Sequence, residues 1–286
     1  MIMTLRLISA LAASLLAAES CSLKEDRGIC PCSLSVCFGN AAMNEEVVLS
    51  IHSGMSGRTG VENIAGLSGQ STRKEALSTE IVSPAEYPGG YVKDVPRTET
   101  TVSAIQGLRK NALSGCNVII GEGADSDKLF QYSENVDCQC EKAAVNAKFR
   151  KNWASLEIST AHYGEVSGRL EIIVSGDVDG FDMLTGRPHQ GRFECQARLF
   201  DEDFGTYELN LPRQEIGKAD LYIKITDLGE GKELLHCCLS SVLENAGYDW
   251  KKENLDDIRI DFDQIDCSFS VRISEWDDGP HGPVTI

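Results

Sequence analysis

Cysteines are the residues of this chain whose type and spacing most readily do chemistry. Two close pairs stand far apart in the sequence, Cys30 with Cys32 and Cys138 with Cys140. Four thiolates suit Zn²⁺, although structural zinc sites ordinarily use C-x₂-C spacing rather than C-x-C. In an extended strand both cysteines of a C-x-C pair point to one face, so a cross-link between the pairs is geometrically simple. Disulfide, free thiols and metal all stay open, with a disulfide favoured and no metal or other cofactor predicted.

A further cysteine, Cys21, follows an apolar run from Leu7 to Ala18 that is preceded by the basic residue Arg6. That order is typical of a bacterial secretory signal that ends in a lipid-modified cysteine. The run of about a dozen residues is too short to span a bilayer, which takes roughly 20. We predict that residues 1–20 are a lipoprotein signal peptide and that Cys21 carries acyl chains such as palmitate. An ordinary signal peptide cleaved nearby is the alternative.

Other chemical signatures point away from an enzyme, and no catalytic residue is predicted. No histidine is spaced to pair with a nucleophile or another histidine, and no nucleophile elbow, phosphate loop or dinucleotide fingerprint is present. The run Asp177–Asp182 starts like a calcium loop but places Phe181 and Pro188 where the fifth and twelfth ligands belong. An Asp-Gly turn between strands is predicted there instead. Cys195 and Cys267 alternate with apolar neighbours and are predicted to lie in the core.

Charge and cysteine content narrow the class of protein further. The chain has 27 Lys and Arg against 44 Asp and Glu, for a net charge of −17. Such a surface repels phosphate backbones, so no nucleic-acid partner is expected, and membrane attachment would depend on the acyl chains. Without Cys21, the 11 cysteines become an even ten, as expected of an exported chain that forms disulfides.

Alternation of apolar and polar residues dominates the second half, which is typical of half-buried strands. The alternating runs lie at residues 154–159, 170–175, 193–199, 206–211, 220–226, 257–262 and 266–273. Two packed antiparallel sheets bury such single apolar faces. One segment, Glu233–Asn245, carries apolar residues at helical spacing before Gly247, so a helix capped by that glycine is predicted.

The first half is less regular, but it also predicts strands. They lie at residues 34–38, 47–51, 98–108, 117–120, 128–133 and 143–149. Residues 53–95 are rich in Gly, Ser, Thr and charge, which predicts a long loop with short elements. The whole pattern predicts an all-β chain with one short helix, divided into an N-terminal β-sandwich domain at 21–148 and a C-terminal one at 149–286.

Four groups of residues carry a resemblance to a known family. They are Leu23–Asp26 with Cys30–Pro31; Val102–Leu108 with Gly121–Leu129; Phe149–Ala154; and Gly176–Asp182 with Ala246–Trp250, Leu255–Ile258 and Trp276. In order and spacing, these stretches resemble the Bacteroidales fimbrillin-A-associated anchor family, which comprises fimbrial anchor lipoproteins. The resemblance spans nearly all of the chain after Cys21.

The resemblance implies two tandem transthyretin-like Greek-key β-sandwich domains. It also implies a non-catalytic lipoprotein of the cell outer membrane that anchors a fimbria, or pilus, by docking the basal pilin subunit. Docking would use the edges of sheets, where a partner strand can be added. The alternative is a surface lipoprotein that binds glycan or another host ligand on the same scaffold. Tyr248 and Trp250 could form such a platform, although the pattern favours an apolar plug at the end of a sandwich.

Overall fold

A computed structural model describes residues 30–54, 75–160, 170–202, 205–215, 220–264 and 267–276. The predicted signal peptide, Cys21 and the stretch Leu23–Asp26 lie outside the described residues. Within those ranges, no helix has the length and apolar character needed to cross a membrane.

The first half folds as a sandwich of two sheets. Its strands are β1 (Cys32–Phe38), β2 (Val47–Ser53), β3 (Glu75–Val82), β4 (Tyr91–Val95), β5 (Glu99–Gln106), β6 (Ala112–Ser114), β7 (Asn117–Ile119), β8 (Phe130–Asp137), β9 (Lys142–Ala147) and β10 (Arg150–Lys151). A three-stranded sheet has the order β4-β1-β9, and a five-stranded sheet has the order β10-β8-β5-β2-β3. Strict alternation explains the packing, because Leu34 and Val36 of β1 are fully buried while Ser33 and Ser35 are half-buried.

The second half forms a second sandwich. Its elements are β11 (Trp153–Ser159), β12 (Leu170–Asp182), β13 (Pro188–Gln196), β14 (Arg198–Asp201), β15 (Thr206–Pro212), β16 (Leu221–Asp227), β17 (Lys232–Cys238), α1 (Leu239–Asn245), β18 (Asp257–Phe262) and β19 (Phe269–Ser274). One sheet has the order β14-β15-β11-β18-β19, and the other has the order β17-β16-β12-β7-β6, with β13 also paired to β12. The all-β prediction is therefore confirmed.

At the junction, each half of the chain contributes an element that packs against the other half. The hairpin β6–β7 comes from the first half of the sequence, but β7 pairs with β12 of the second sandwich. Gly180 of β12 makes this pairing feasible, because a Cβ there would lie 1.8 Å from the carbonyl oxygen of Val118. A small apolar cluster that includes Ile105, Val118 and Phe181 fills the space between the two halves.

The turn between β12 and β13 makes the reciprocal contact with the first sandwich. Gln131 Nε2 donates to the carbonyl oxygen of Met183 at 3.1 Å, and the Ser133 hydroxyl donates to that of Leu184. The division at residues 148 and 149 stays a prediction, but a cut there separates the β6–β7 hairpin from its partner strand.

The predicted helix over Glu233–Asn245 is only half right. Its first part is the edge strand β17, in which Leu235 pairs with Ile225 of β16. The chain becomes helical only at Leu239, and Gly247 follows the helix at a φ of +84°, as its predicted capping role requires.

Two other predictions for irregular segments need correction. Asp177–Asp182 is not a turn but the end of the long strand β12, and the turn follows it. There the Asp182 carboxylate accepts hydrogen bonds from the backbone N–H groups of Leu184 and Thr185. The described part of residues 53–95 is more regular than predicted, because it contains β3 and β4 with a short 3₁₀ turn at Pro84–Glu86.

Candidate docking edge and thiol cluster

The first sandwich has one side at which two edge strands lie close together. β3 ends the five-stranded sheet and β4 ends the three-stranded sheet, and neither has a second strand partner among the described residues. An edge strand presents unpaired backbone N–H and C=O groups that another strand can bind. We call this pair of strands, with the connection between them, the open side.

Exposed apolar side chains are concentrated on the open side. Ile81 and Leu77 of β3 are 69% and 40% exposed, Val92 of β4 is 59% exposed, and Tyr87 between the strands is 39% exposed. These are four of the eight large apolar side chains exposed in the described part of the chain; the other four are distributed among other elements. Apolar groups beside a free strand edge suit the addition of a partner strand, whose side chains need apolar contacts.

A carboxylate bridges the two edge strands of the open side. Glu80 of β3 accepts hydrogen bonds from the Lys93 ammonium and the Tyr91 hydroxyl of β4. The bond from Lys93, and then that from Tyr91, holds the pKa of Glu80 below its ordinary value. Burial and the neighbouring carboxylate raise the pKa of Tyr91 to about 12. Glu80 is therefore ionised at neutral pH and links β3 to β4 through side chains alone.

Three of the four predicted disulfide cysteines meet beside the start of β1. Cys32 and Cys138 are fully buried, whereas Cys140 is exposed and its thiol donates to the carbonyl oxygen of Lys142 at 2.9 Å. Burial raises the pKa of the Cys32 thiol to about 11, and the thiols of Cys138 and Cys140 add to that shift. We call Cys32, Cys138 and Cys140 the thiol cluster. Cys30 is exposed at the beginning of the described chain.

Neither C-x-C pair lies within a single strand. β1 begins only at Cys32, and β8 ends at Asp137, so that Cys138 and Cys140 lie in the turn that leads to β9. The two strands nevertheless bring the cysteines together, because β9 pairs in parallel with β1 from Ser33 onward. Among the residues that the structure describes, no group of three or more His, Cys, Asp or Glu side chains is placed to hold a metal ion.

The remaining singled-out residues have structural roles. Cys195 is buried in the second core as predicted, but Cys267 is only half-buried and lies before β19, so its predicted core position is wrong. Tyr248 and Trp250 are 5% and 4% exposed, with ring centroids 4.6 Å apart, and they plug the second sandwich. They therefore offer no exposed platform for a glycan.

Asp127, inside one of the resembling stretches, organises the loop beside β6. Its buried carboxylate accepts hydrogen bonds from the backbone N–H groups of Arg109, Lys110 and Asn111 at 2.7–2.8 Å. Sequence reasoning missed this residue, and it also missed the open side. The signal for the open side was available, because Leu77, Ile81 and Val92 are apolar residues within a polar segment.

Comparison with known proteins gives a fold but no sequence family. No family model and no curated protein matches the chain. Among solved structures, it is similar to the fimbrial anchor protein Mfa2 from Porphyromonas gingivalis, with 10% identity and a TM-score of 0.57 over 86% of this chain and 98% of that one. It is also similar to a candidate adhesin from Bacteroides thetaiotaomicron, with 13% identity and a TM-score of 0.54 over 86% of this chain and 97% of that one. A candidate adhesin from Bacteroides ovatus has 12% identity and a TM-score of 0.55 over 84% of this chain and 90% of that one. The chain therefore shares the whole fold of these proteins.

Proposed function

We propose that this chain is a non-catalytic lipoprotein of the outer membrane that anchors a fimbria at the cell surface by docking the basal pilin subunit. The observation that carries the proposal is the fold, which extends over nearly the full length of a fimbrial anchor protein. The segment before the fold supports it, because removal of the predicted signal peptide at residues 1–20 would leave Cys21 at the N-terminus to carry the lipid. Two acyl chains hold a protein stably, whereas one binds only reversibly.

Docking would take place at the open side. A pilin strand added to β3 or β4 gains main-chain hydrogen bonds, each worth about 1 kcal/mol net. Durable attachment therefore also needs apolar contacts, which Ile81, Leu77 and Val92 provide next to the edges. These exposed side chains do not contribute to the core of the isolated first sandwich, which is filled by other residues.

Replacing Cys21 by alanine tests the membrane part of the proposal. The variant loses the acylation site, so we expect both the protein and its fimbriae to move from the outer-membrane fraction into the medium. Immunoblots of the two fractions with antibodies to this chain and to the pilin measure the shift. Membrane association that persists in the variant, with no acyl mass on the native N-terminus, would contradict lipid anchoring.

Replacing Ile81 by lysine tests the docking part independently. A lysine on this exposed strand should change folding stability by no more than about 0.5 kcal/mol. Loss of a central apolar contact costs about 2 kcal/mol of binding, or roughly 30-fold in affinity. We expect the variant to stay in the membrane fraction while its fimbriae are shed.

Phe200→Lys is the matched control, because Phe200 is 71% exposed on β14 of the second sandwich. Fimbriae that remain attached at normal number in Ile81→Lys, or that are shed equally in Phe200→Lys, would remove the open side as the docking surface.

A further inference from the structure

A small cavity of about 100 Å³ lies at the junction of the two sandwiches. The first sandwich contributes Arg150 of β10 to its lining, and Asn152 follows in the connection to β11. The second sandwich contributes Arg213, directly after β15, and Lys251 from the loop that follows α1. Basic side chains thus gather here, although the protein as a whole carries a net charge of −17.

Arg213 is a largely buried cation that has only neutral partners. Its guanidinium donates to the Asn152 side-chain oxygen at 2.6 Å and to the carbonyl oxygens of Trp250, Lys252, Glu253 and Lys151. No carboxylate pairs with it among the described residues. Burial, together with the nearby Arg150 cation, lowers the pKa of Arg213 to about 10, although Tyr248 and Asp249 oppose the shift. A buried charge without a counter-ion is costly, so the site favours a negative group.

Asn152 supplies a second, independent indication of a ligand. It is only 3% exposed, and its Oδ1 is already occupied by the bond from Arg213. The bond fixes the orientation of the amide, whose Nδ2 is buried and has no acceptor. Leaving a buried donor unsatisfied costs about 1–3 kcal/mol. An acceptor in the cavity would recover that energy.

The rim of the cavity adds two cationic side chains that have no ion-pair partner among the described residues. Arg150 and Lys251 are exposed, and neither forms an ion pair within the described ranges. Lys252 forms an ion pair with Asp256 at 2.6 Å, and the Gln131 side chain donates a hydrogen bond to the carbonyl oxygen of Met183. Glu253 also lines the cavity, but it contacts Arg213 through its backbone oxygen and not through its carboxylate.

We propose that this cavity is an oxyanion site, in which a single carboxylate or phosphate group accepts a hydrogen bond from Asn152 Nδ2 and is held by the charges of Arg213, Arg150 and Lys251. Its volume of about 100 Å³ suits one such group. Since the lining comes from both sandwiches, a bound oxyanion would also fasten the junction between them.

The test is a titration of the full-length, ¹⁵N-labelled chain with sodium phosphate and, separately, with sodium acetate. Sodium chloride at equal ionic strength is the reference. We expect saturable shifts of the Asn152 side-chain amide and the Arg213 Nε resonances with at least one oxyanion, and the stronger of the two identifies the preferred group. Shifts that chloride reproduces, or no saturable shift with either oxyanion, would overturn the proposal.

Three variants distinguish specific oxyanion binding in the cavity from general attraction between the anion and surface cations. Asn152→Asp is isosteric and places a carboxylate against Arg213, so it should raise the melting temperature without phosphate and abolish the Arg213 Nε response. Arg150→Gln should weaken binding roughly tenfold or more, the effect of losing one charged hydrogen bond. Lys232→Gln, an exposed lysine on β17, is the control and should leave binding unchanged. Equal binding by all three variants would contradict the site.

Discussion

Replacing Lys151 by alanine is expected to lower the free energy of unfolding by about 3–5 kcal/mol. Lys151 is fully buried in β10, where its ammonium donates to Asp257 at 2.6 Å and to the carbonyl oxygen of Leu255 at 3.0 Å. It also lies 4.4 Å from the ring centroids of both Trp153 and Trp276. Alanine removes all of these contacts and leaves a cavity between two indole rings.

Two further variants separate the charge of Lys151 from its packing. Lys151→Met keeps the volume of the stem and leaves Asp257 with its bond from the Ser155 N–H and partial solvent access, so the expected loss is only about 1–2 kcal/mol. Lys148→Ala is the control, since Lys148 is an exposed lysine of the same segment. Denaturant unfolding followed by tryptophan fluorescence measures all three. A cost for Lys151→Ala no greater than that for Lys148→Ala would contradict the structural role.

The buried ammonium also predicts a pH dependence. Burial lowers the pKa of Lys151 below its ordinary 10.5, although Asp257 opposes the shift. Between the lowered value and 10.5, the unfolded chain binds more protons at this residue than the folded chain does. The contribution of Lys151 to the free energy of unfolding therefore rises with pH across that window. This contribution should be absent from the Lys151→Met variant. Plots of the free energy of unfolding against pH for the wild-type protein and the variant would show the difference.

The sequence predicted those elements whose apolar residues are buried on one face. β16 and β18 are examples, because Leu221, Ile223 and Ile225 alternate with polar residues, as do Ile258 and Ile260. β17 was mistaken for the start of the helix for a physical reason. It is an edge strand whose side chains are nowhere fully buried, so it shows no alternation, and its apolar residues fit the helical period of the segment that follows.

The junction could not be predicted, because its contacts join residues far apart in the sequence. Arg213 bonds the carbonyl oxygen of Trp250, which is 37 positions away, and Lys151 bonds Asp257, which is 106 positions away. Neither pair belongs to a local motif. The pairing of the β6–β7 hairpin with β12 is equally hidden, since Gly180 in an Asp-Gly sequence is typical of a turn. The thiol cluster was different, because the types and spacing of the cysteines indicated it and the fold then brought three of them together.

Under the proposed export, a disulfide between Cys32 and Cys138, whose thiols are free in this structure, is expected to form. Its reduction should lower the free energy of unfolding by about 4 kcal/mol. Both residues are fully buried within the thiol cluster, and exported proteins meet an oxidising environment. The bond would close a loop of roughly 100 residues, for which the chain-entropy account gives a stabilisation of about 4–5 kcal/mol. Cys140 is the less favoured partner, because it is exposed and already bonded to the carbonyl oxygen of Lys142.

The position of Cys32 gives this bond a mechanical consequence that fits the proposed anchor. β1 is the central strand of its sheet, and the chain that leads back to Cys21 leaves from the Cys32 end. Tension between a lipid-bound N-terminus and a fimbria on the open side would enter the sandwich at that end. Each ladder hydrogen bond of β1 contributes only about 1 kcal/mol net, so an unlinked strand could be peeled away one bond at a time. A covalent link at the first residue of the strand prevents peeling from starting.

Peptide mapping under non-reducing conditions tests the bond directly. The Cys32 peptide should be linked to the Cys138 peptide in protein recovered from the cell surface. Cys140→Ser should leave that link in place, whereas Cys138→Ser should transfer it to Cys140, whose thiol also adjoins Cys32. Pulling single molecules from the N-terminus should then require a higher force to unfold the first sandwich before reduction than after it. A Cys32 peptide that stays unlinked in the oxidised wild-type protein would contradict the prediction, and equal unfolding forces would show that the bond does not protect β1.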